Sequence, residues 1–430
     1  MPDPRVARAA IEHCYDAGWT DGLPVVPCTE DALAELLATT ARDPDEVLLD
    51  LPQIGRAATV RLAAVTAVMA GCRPEYFPVV LAAWDSLRAE RYPGRGIWQS
   101  TTGTAPMVLV NGPVAERIGL NAAGNVFGSG VRANATIGRA IRLAAITIFG
   151  LRPGELDQAT QGTPAKHTCC LAENAAASPW DPLHVDLGFD AASSTVTAIV
   201  IRSIVHVEAR HTARPEQLLR DLAGTAARTG ALLHASTSAA LVLSPEHAHL
   251  LADAGWSKAD VSRAVHEESW IDRDRLAAVG KSAVSSTTRW RVPDDHPEAT
   301  GHVESGLHAL TSPEAVLVVV AGAANAGVSA VVDTFGPRGG PPPTVAVEDG
   351  DLDRALAPLR HLVARDGYAL TWSVRGGAVA VDIAAGPQAC EDCLAPRPVI
   401  AGVLADALAG SGWRLGDLSL PTDPVMPPPE

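Results

Sequence analysis

The sequence predicts a multi-domain α/β protein, and three observations carry that reading. Helically spaced apolar segments alternate with short β-branched runs from residue 195 onward, the pattern of an α/β layer. Gly336 to Pro343 holds three glycines and four prolines in eight positions, the clearest linker in the chain. At 430 residues, 47% hydrophobic and 19% charged, the chain is long enough for two or three cores. The expected divisions are 1–190, a mainly helical α/β domain; 191–335, a second α/β domain or subdomain; 345–412, a small α-β-β-α domain; and 413–430, a proline-rich tail.

In chain order, the first helix ends at Gly18, and Val25-Val26 is a short strand candidate. Helical spacing follows over Asp31 to Thr39, Thr59 to Met69 and Phe77 to Arg88, with Gly71 and Pro74 closing the second of these. Met107 to Val110 reads as a strand ending in the turn Asn111-Gly112-Pro113, Asn121 to Gly130 as a loop, and Ala133 to Phe149 as a long helix. Residues 153–190 are turn-rich and polar, the kind of long loop that is usually functional or disordered. Strands are expected over 195–207, 240–243 and 316–320, with helices from Pro215, Pro245 and Ser257. Beyond the linker, Leu352, Leu356, Leu359 and Val363 share a helical face. A hairpin turns at Gly376-Gly377, Cys390-Glu391-Asp392-Cys393 follows, and a last helix runs through Val399 to Leu408.

Composition narrows the partners. A net charge of −15, from 49 acidic and 34 basic residues, opposes the phosphate neutralisation behind nucleic-acid affinity, so neither DNA nor RNA is expected. No apolar run reaches eighteen residues, and Met1-Pro2-Asp3-Pro4-Arg5 does not open a signal peptide, so no membrane span is expected and the location is read as cytoplasmic. Seven irregularly spaced cysteines suit free thiols in a reducing compartment, with Cys14, Cys28 and Cys72 as small buried hydrophobes.

The remaining four cysteines carry the chemistry. Cys169 and Cys170 stand in the polar loop with Lys166, His167 and Glu173, surroundings in which a cation lowers a thiol pKa and a histidine serves as base. Arg132, Asn134, Thr136 and Arg139 bracket the start of the long helix, where backbone N–H groups and guanidiniums suit a carboxylate or phosphate; a helix cap with surface arginines is the alternative. Asn111 joins these as a substrate-binding candidate. His206, Glu208 and His211 make a metal set only if the strand bends at Arg210, and Glu246, His247 and His249 read as a solvated helix turn. Gly322 to Ser329 follows a strand as a phosphate loop does but lacks the lysine, which counts against nucleotide binding.

The segments Trp19 to Pro24, Met69 to Glu75, Val110 to Pro113, Arg132 to Arg139, Cys169 to Asn174, Ser178 to Trp180 and Ala254 to Val261 resemble the UGSC (seleno)protein family of bacteria over about residues 10–270. That resemblance implies thiol or selenol redox chemistry. Residues 350–410, with Asp366-Gly367 before the hairpin and the CxxC after it, resemble the C-terminal domain of NifU-like iron-sulfur scaffold and carrier proteins, in which Cys390 and Cys393 would hold a cluster. Two sulfurs leave a four-ligand site incomplete, so a homodimer bridging one iron-sulfur cluster is the simplest completion, beside a dithiol/disulfide pair or a structural turn. The functional expectation is a cysteine-dependent enzyme for a small polar or acidic substrate, its CxxC module supplying sulfur, electrons or a cluster. A non-catalytic iron-sulfur carrier and a metal-free thiol oxidoreductase are the alternatives.

Overall fold

Thr29 Oγ1 accepts from Ala32 N–H and Thr59 Oγ1 from Leu62 N–H, and these caps fix where two N-terminal helices begin. In the computed structural model, which describes residues 4–89, 101–231, 233, 237–335, 342–348, 350–375, 378–386, 389, 394–409 and 413–421, the chain is mixed α/β with several sheets. The N-terminal helices are α1 (Pro4–Asp16), α2 (Glu30–Leu37), α3 (Val60–Ala70), α4 (Phe77–Ala89) and α5 (Arg132–Thr147). Gly71 ends α3 at φ 93°, a left-handed position that a side chain would strain. Val25-Val26 forms no strand; it runs beside the end of α3 on the bond from Val26 N–H to Met69 O. A hairpin of β1 (Val47–Leu51) and β2 (Arg56–Thr59) stands where no strand was expected.

One seven-stranded sheet organises the body. Its strands are β3 (Ala105–Asn111), β4 (Cys170–Ala172), β5 (Thr195–Glu208), β6 (Thr237–Leu243), β7 (Val316–Val320), β8 (Val328–Phe335) and β9 (Thr344–Ala346). The order is β7-β6-β8-β5-β3-β4, with β9 on β5 beyond β8. The sheet crosses the expected boundary at 190, because β3 and β4 come before it and the other five strands after it. Residues 270–308 add a two-stranded and a three-stranded sheet of short strands and one short helix, Arg273–Ala277.

The sheet curls until its two edges meet at one end: Asn174, just past β4, donates its backbone N–H to Val320 O of β7 at 2.7 Å. Its inner face forms a single apolar cluster that includes Met107, Leu109, Leu171, Ile199, Ile201, Val242 and Val332. Helices cover the outer face in two groups. α3, α4 and α5 pack over β3 to β5, while α6 (Pro215–Ala226), α7 (Pro245–Asp253) and α8 (Lys258–Glu268) pack over β6 to β8. Alternation along each strand assigns successive side chains to these two faces, which is why Leu171 lies inside and Cys170 and Ala172 outside.

The C-terminal residues have a separate core. α9 (Gly350–Arg365) buries Leu352, Leu356, Leu359 and Val363 against the antiparallel pair β10 (Tyr368–Arg375) and β11 (Ala378–Ala385) and against α10 (Arg397–Leu408). A further strand, β12 (Leu415–Ser419), joins β11 in parallel where the sequence reading placed a tail. Cys390 and Cys393 lie outside the described residues. No helix among the described residues is long and apolar enough to cross a membrane.

Candidate functional site

The start of α5 does gather the residues expected to bind substrate, but their polar groups are engaged with the protein. Arg139 grips Asp21 through Nε and Nη2, both at 2.8 Å, and adds bonds to Leu23 O and Pro24 O. Arg132 is exposed and donates from Nε to Gly71 O. Buried Asn134 accepts from Asn121 N–H and donates to Asn121 O and Cys170 O, so it braces a loop and a strand. Thr136 returns its hydroxyl to Arg132 O. The expected anion cradle is therefore mostly spent on tying the Trp19–Pro24, Gly71 and Cys170 segments to one helix.

Cys169 and Cys170 depart from the expected activated thiol. Both are buried, Cys169 in the inner cluster and Cys170 in the outer one. Burial pushes the Cys169 thiol up to about 12, and Cys170 is raised well above its ordinary value by burial, then by Cys169 and Cys72. The neighbours expected to lower these values are elsewhere: His167 is exposed and Lys166 pairs with Asp157. Gly138 explains the tight fit, because a Cβ there would fall 2.7 Å from Cys169 N and 2.5 Å from Thr168 Oγ1. Cys72 joins the thiol group from the end of α3; burial drives it to about 12 against the pull of Thr136, Arg132 and Arg139. Protonated and dry, these thiols are poor nucleophiles.

Glu173 and Asn111 do meet, 62 residues apart in sequence. Asn111 Nδ2 and Leu183 N–H donate to Glu173 Oε2 at 2.5 and 2.8 Å, while Val320 N–H and Lys258 Nζ reach Oε1 at 3.5 and 3.4 Å. Lys258 was not singled out by sequence reasoning, although Ser257 and Asp260 form a capping box that places it at the first position of α8. Its ammonium also bonds Asp181 O and Asp186 Oδ2, which uses all three of its donors. With Trp180 Nε1 bonded to Trp256 O, this node fastens α8 to the end of the curled sheet. It braces the fold, although the buried Asn111 Oδ1 has no hydrogen-bond partner among the described residues.

More polar groups without a protein partner among the described residues lie at the end of the sheet where β5, β6 and β7 finish. A cavity of about 600 Å³ opens there between Gly124–Gly128 and Gly322–Ala326, with His206 and Arg210 from the end of β5 and Val242 and Ala330 from the strands. Both loops are held from behind. Gly322 N–H donates to Ala122 O, Asn174 Nδ2 to Gly322 O, and Asn134 holds Asn121 as above. Asn125 takes a left-handed φ of 59° and bonds Ser129 O, and a Cβ on Gly128 would fall 2.0 Å from its Oδ1. Among the described residues, the N–H groups of Ala323, Ala324 and Asn325 donate to no protein acceptor. His206 and Arg210 are exposed, and among the described residues the one hydrogen bond of the Arg210 side chain is from Nε to Glu208 Oε2 at 3.2 Å.

The basin thus unites segments that were read apart: the glycine loop 121–130, the strand-following loop 322–329, and the histidine of β5. Among the described residues no three His, Cys, Asp or Glu side chains converge as a metal set, and His206 and Glu208 stay on the solvent side of the strand's end. His247, read as part of a solvated turn, is buried with Nδ1 2.7 Å from Ser329 Oγ. No protein-family model, curated protein or solved structure matches the chain.

Proposed function

We propose that the chain is an enzyme acting on a small polar or acidic molecule held in this basin. The observation that carries the reading is the meeting of two braced loops around a cavity of about 600 Å³ where, among the described residues, the His206 ring and the Ala323 and Asn325 N–H groups have no protein partner. That volume suits a metabolite, and backbone N–H groups beside a guanidinium suit an oxyanion. His206 supplies an imidazole that can take or give a proton at the bound molecule. Thiol chemistry then falls to Cys390 and Cys393 and not to the buried Cys169 and Cys170.

The test is titration of the full chain with malonate, citrate and inorganic phosphate, followed by amide chemical shifts. Saturable shifts are expected, weakened about tenfold or more by Arg210→Ala, because losing a charge-assisted bond costs about 1.5–3 kcal/mol. A His206→Ala/Arg210→Ala variant that binds every probe as well as the unaltered chain would remove the basin from consideration.

A second reading, an iron-sulfur carrier, is favoured by the separate C-terminal core and its order α9, β10, β11, α10, with the CxxC between β11 and α10. Two thiolates fit half of a four-sulfur ligand set, and a second copy would complete it. Protein purified without oxygen should then contain iron and acid-labile sulfide that a Cys390→Ala/Cys393→Ala variant lacks. Equal contents in the two proteins would end this reading.

A further inference from the structure

The basin has two chemically different walls. Ala330 of β8 pairs with His206 of β5 on one side and with Val242 of β6 on the other, so these three side chains stand in one row on one face of the sheet. That face is the inner one, because Val242 and Ala330 belong to the apolar cluster that fills the curl. Val126 and Ala321 carry the cluster out to the two loops, and Phe127 packs against it. All five of these apolar residues line the cavity. Ser329 adds no polar group to this floor. It pairs with Val207 of the outer cluster, and its hydroxyl is turned to Ser244 N–H and His247 Nδ1.

The polar wall is the rim. Arg210 spends Nε on Glu208, and among the described residues neither of its terminal nitrogens has a hydrogen bond. The Ala323 and Asn325 N–H groups stand on the loop beyond β7. Between rim and floor, the imidazole of His206 has the methyl group of Ala330, the smallest side chain of the row, as its neighbour. Water over such a floor finds no hydrogen-bond partner in it, so a carbon skeleton seated there releases water that the protein does not hold. An acid that is polar at every atom forgoes that gain.

We propose that the substrate is an amphipathic acid, with its carboxylate at Arg210 and the loop N–H groups and a compact apolar or aromatic body on the floor of Val126, Phe127, Val242 and Ala330, beside His206. This rests on the basin being the site of reaction and narrows what it takes. The test is titration of the full chain with acetate, malonate and phenylacetate at one pH and equal ionic strength, followed by the amide shifts of residues 124–128 and 322–330. Phenylacetate should bind about tenfold or more tighter than acetate and malonate. Arg210→Ala should weaken all three. Ala330→Leu fills the floor beside His206 and should remove the advantage of phenylacetate while acetate binds as before. Phe127→Ala, a loop substitution, should cut that advantage about threefold or more and leave acetate unchanged. Phenylacetate binding no tighter than acetate, or keeping its advantage in both floor variants, overturns the inference; the basin reading survives that result if acetate and malonate still bind through Arg210. Binding by none of the three overturns both.

Discussion

At the scale of single residues, what decides a side chain's role here is whether its hydrogen-bonding capacity is used up. Glu173 accepts four donors while its side chain is wholly enclosed, and removing a partner from a buried charge pair costs about 3–5 kcal/mol. Glu173→Gln turns one acceptor oxygen into an NH₂ that faces donors. Urea unfolding should show a loss of about 3 kcal/mol or more, with the basin's ligand shifts intact in the folded fraction. A loss under about 1 kcal/mol, typical of a surface pair, would mean that the node is hydrated. Of the residues the sequence points to, Asn134 and Glu173 spend their polar groups on neighbouring elements, while Asn111 spends Nδ2 on Glu173 and keeps Oδ1 without a partner among the described residues. Local sequence displays a side chain's chemistry, whereas whether that chemistry is spent depends on partners such as Lys258 and Asn121, which lie 85 and 13 residues away.

At the scale of elements, legibility follows the range of the forces involved. Helices with local signals were readable: Thr59 and Gly71 bound α3, Ser244 and Pro245 open α7, and Ser257 caps α8. β8 was not read as a strand, because Val328–Phe335 mixes Ser329, Asp333 and Thr334 with apolar residues and owes its state to pairing with β5 and β6 on both sides. The hairpin β1-β2 turns through Pro52–Ile54 and Gly55, with no two-residue glycine turn to announce it. The basin was legible only in pieces. Its loops were visible as Asn121–Gly130 and Gly322–Ser329, yet they face each other only because the sheet curls and Asn174 bonds across to Val320 and Gly322. The thiols show the same limit. Cys169 has charged sequence neighbours, but α5 closes over it at Gly138, and burial outweighs them.

At the scale of the whole molecule, groups buried in their neutral forms set the pH range in which the fold is most stable. His247 is lowered by burial, only partly offset by its contact with Ala209 O, and His266 by burial and by His308 stacked 4.5 Å away. A histidine depressed in the folded state is protonated more readily once unfolded, so stability is full above its unfolded pKa of about 6.5 and falls below it. Asp21 adds a lower window. Burial alone would raise it, but the Arg139 bond and charge prevail, so its contribution is present above about 3.9 and lost as pH falls through the depressed folded value. The alkaline side has the opposite sign. Cys72, Cys169 and Cys170 are raised by burial, so their stabilisation is full below the unfolded thiol value of about 8.5 and is lost as pH climbs toward 12. Unfolding free energy should therefore plateau between about pH 6.5 and 8.5, each group contributing a slope of up to about 1.4 kcal/mol per pH unit outside it. Denaturant melts across pH should show the alkaline limb flattened in Cys72→Ala/Cys170→Ala and the upper acid limb flattened in His247→Asn, each compared with its own plateau. An alkaline limb equally steep without the two thiols would mean that they ionise freely in the folded protein, and would return Cys170 to the list of reactive groups.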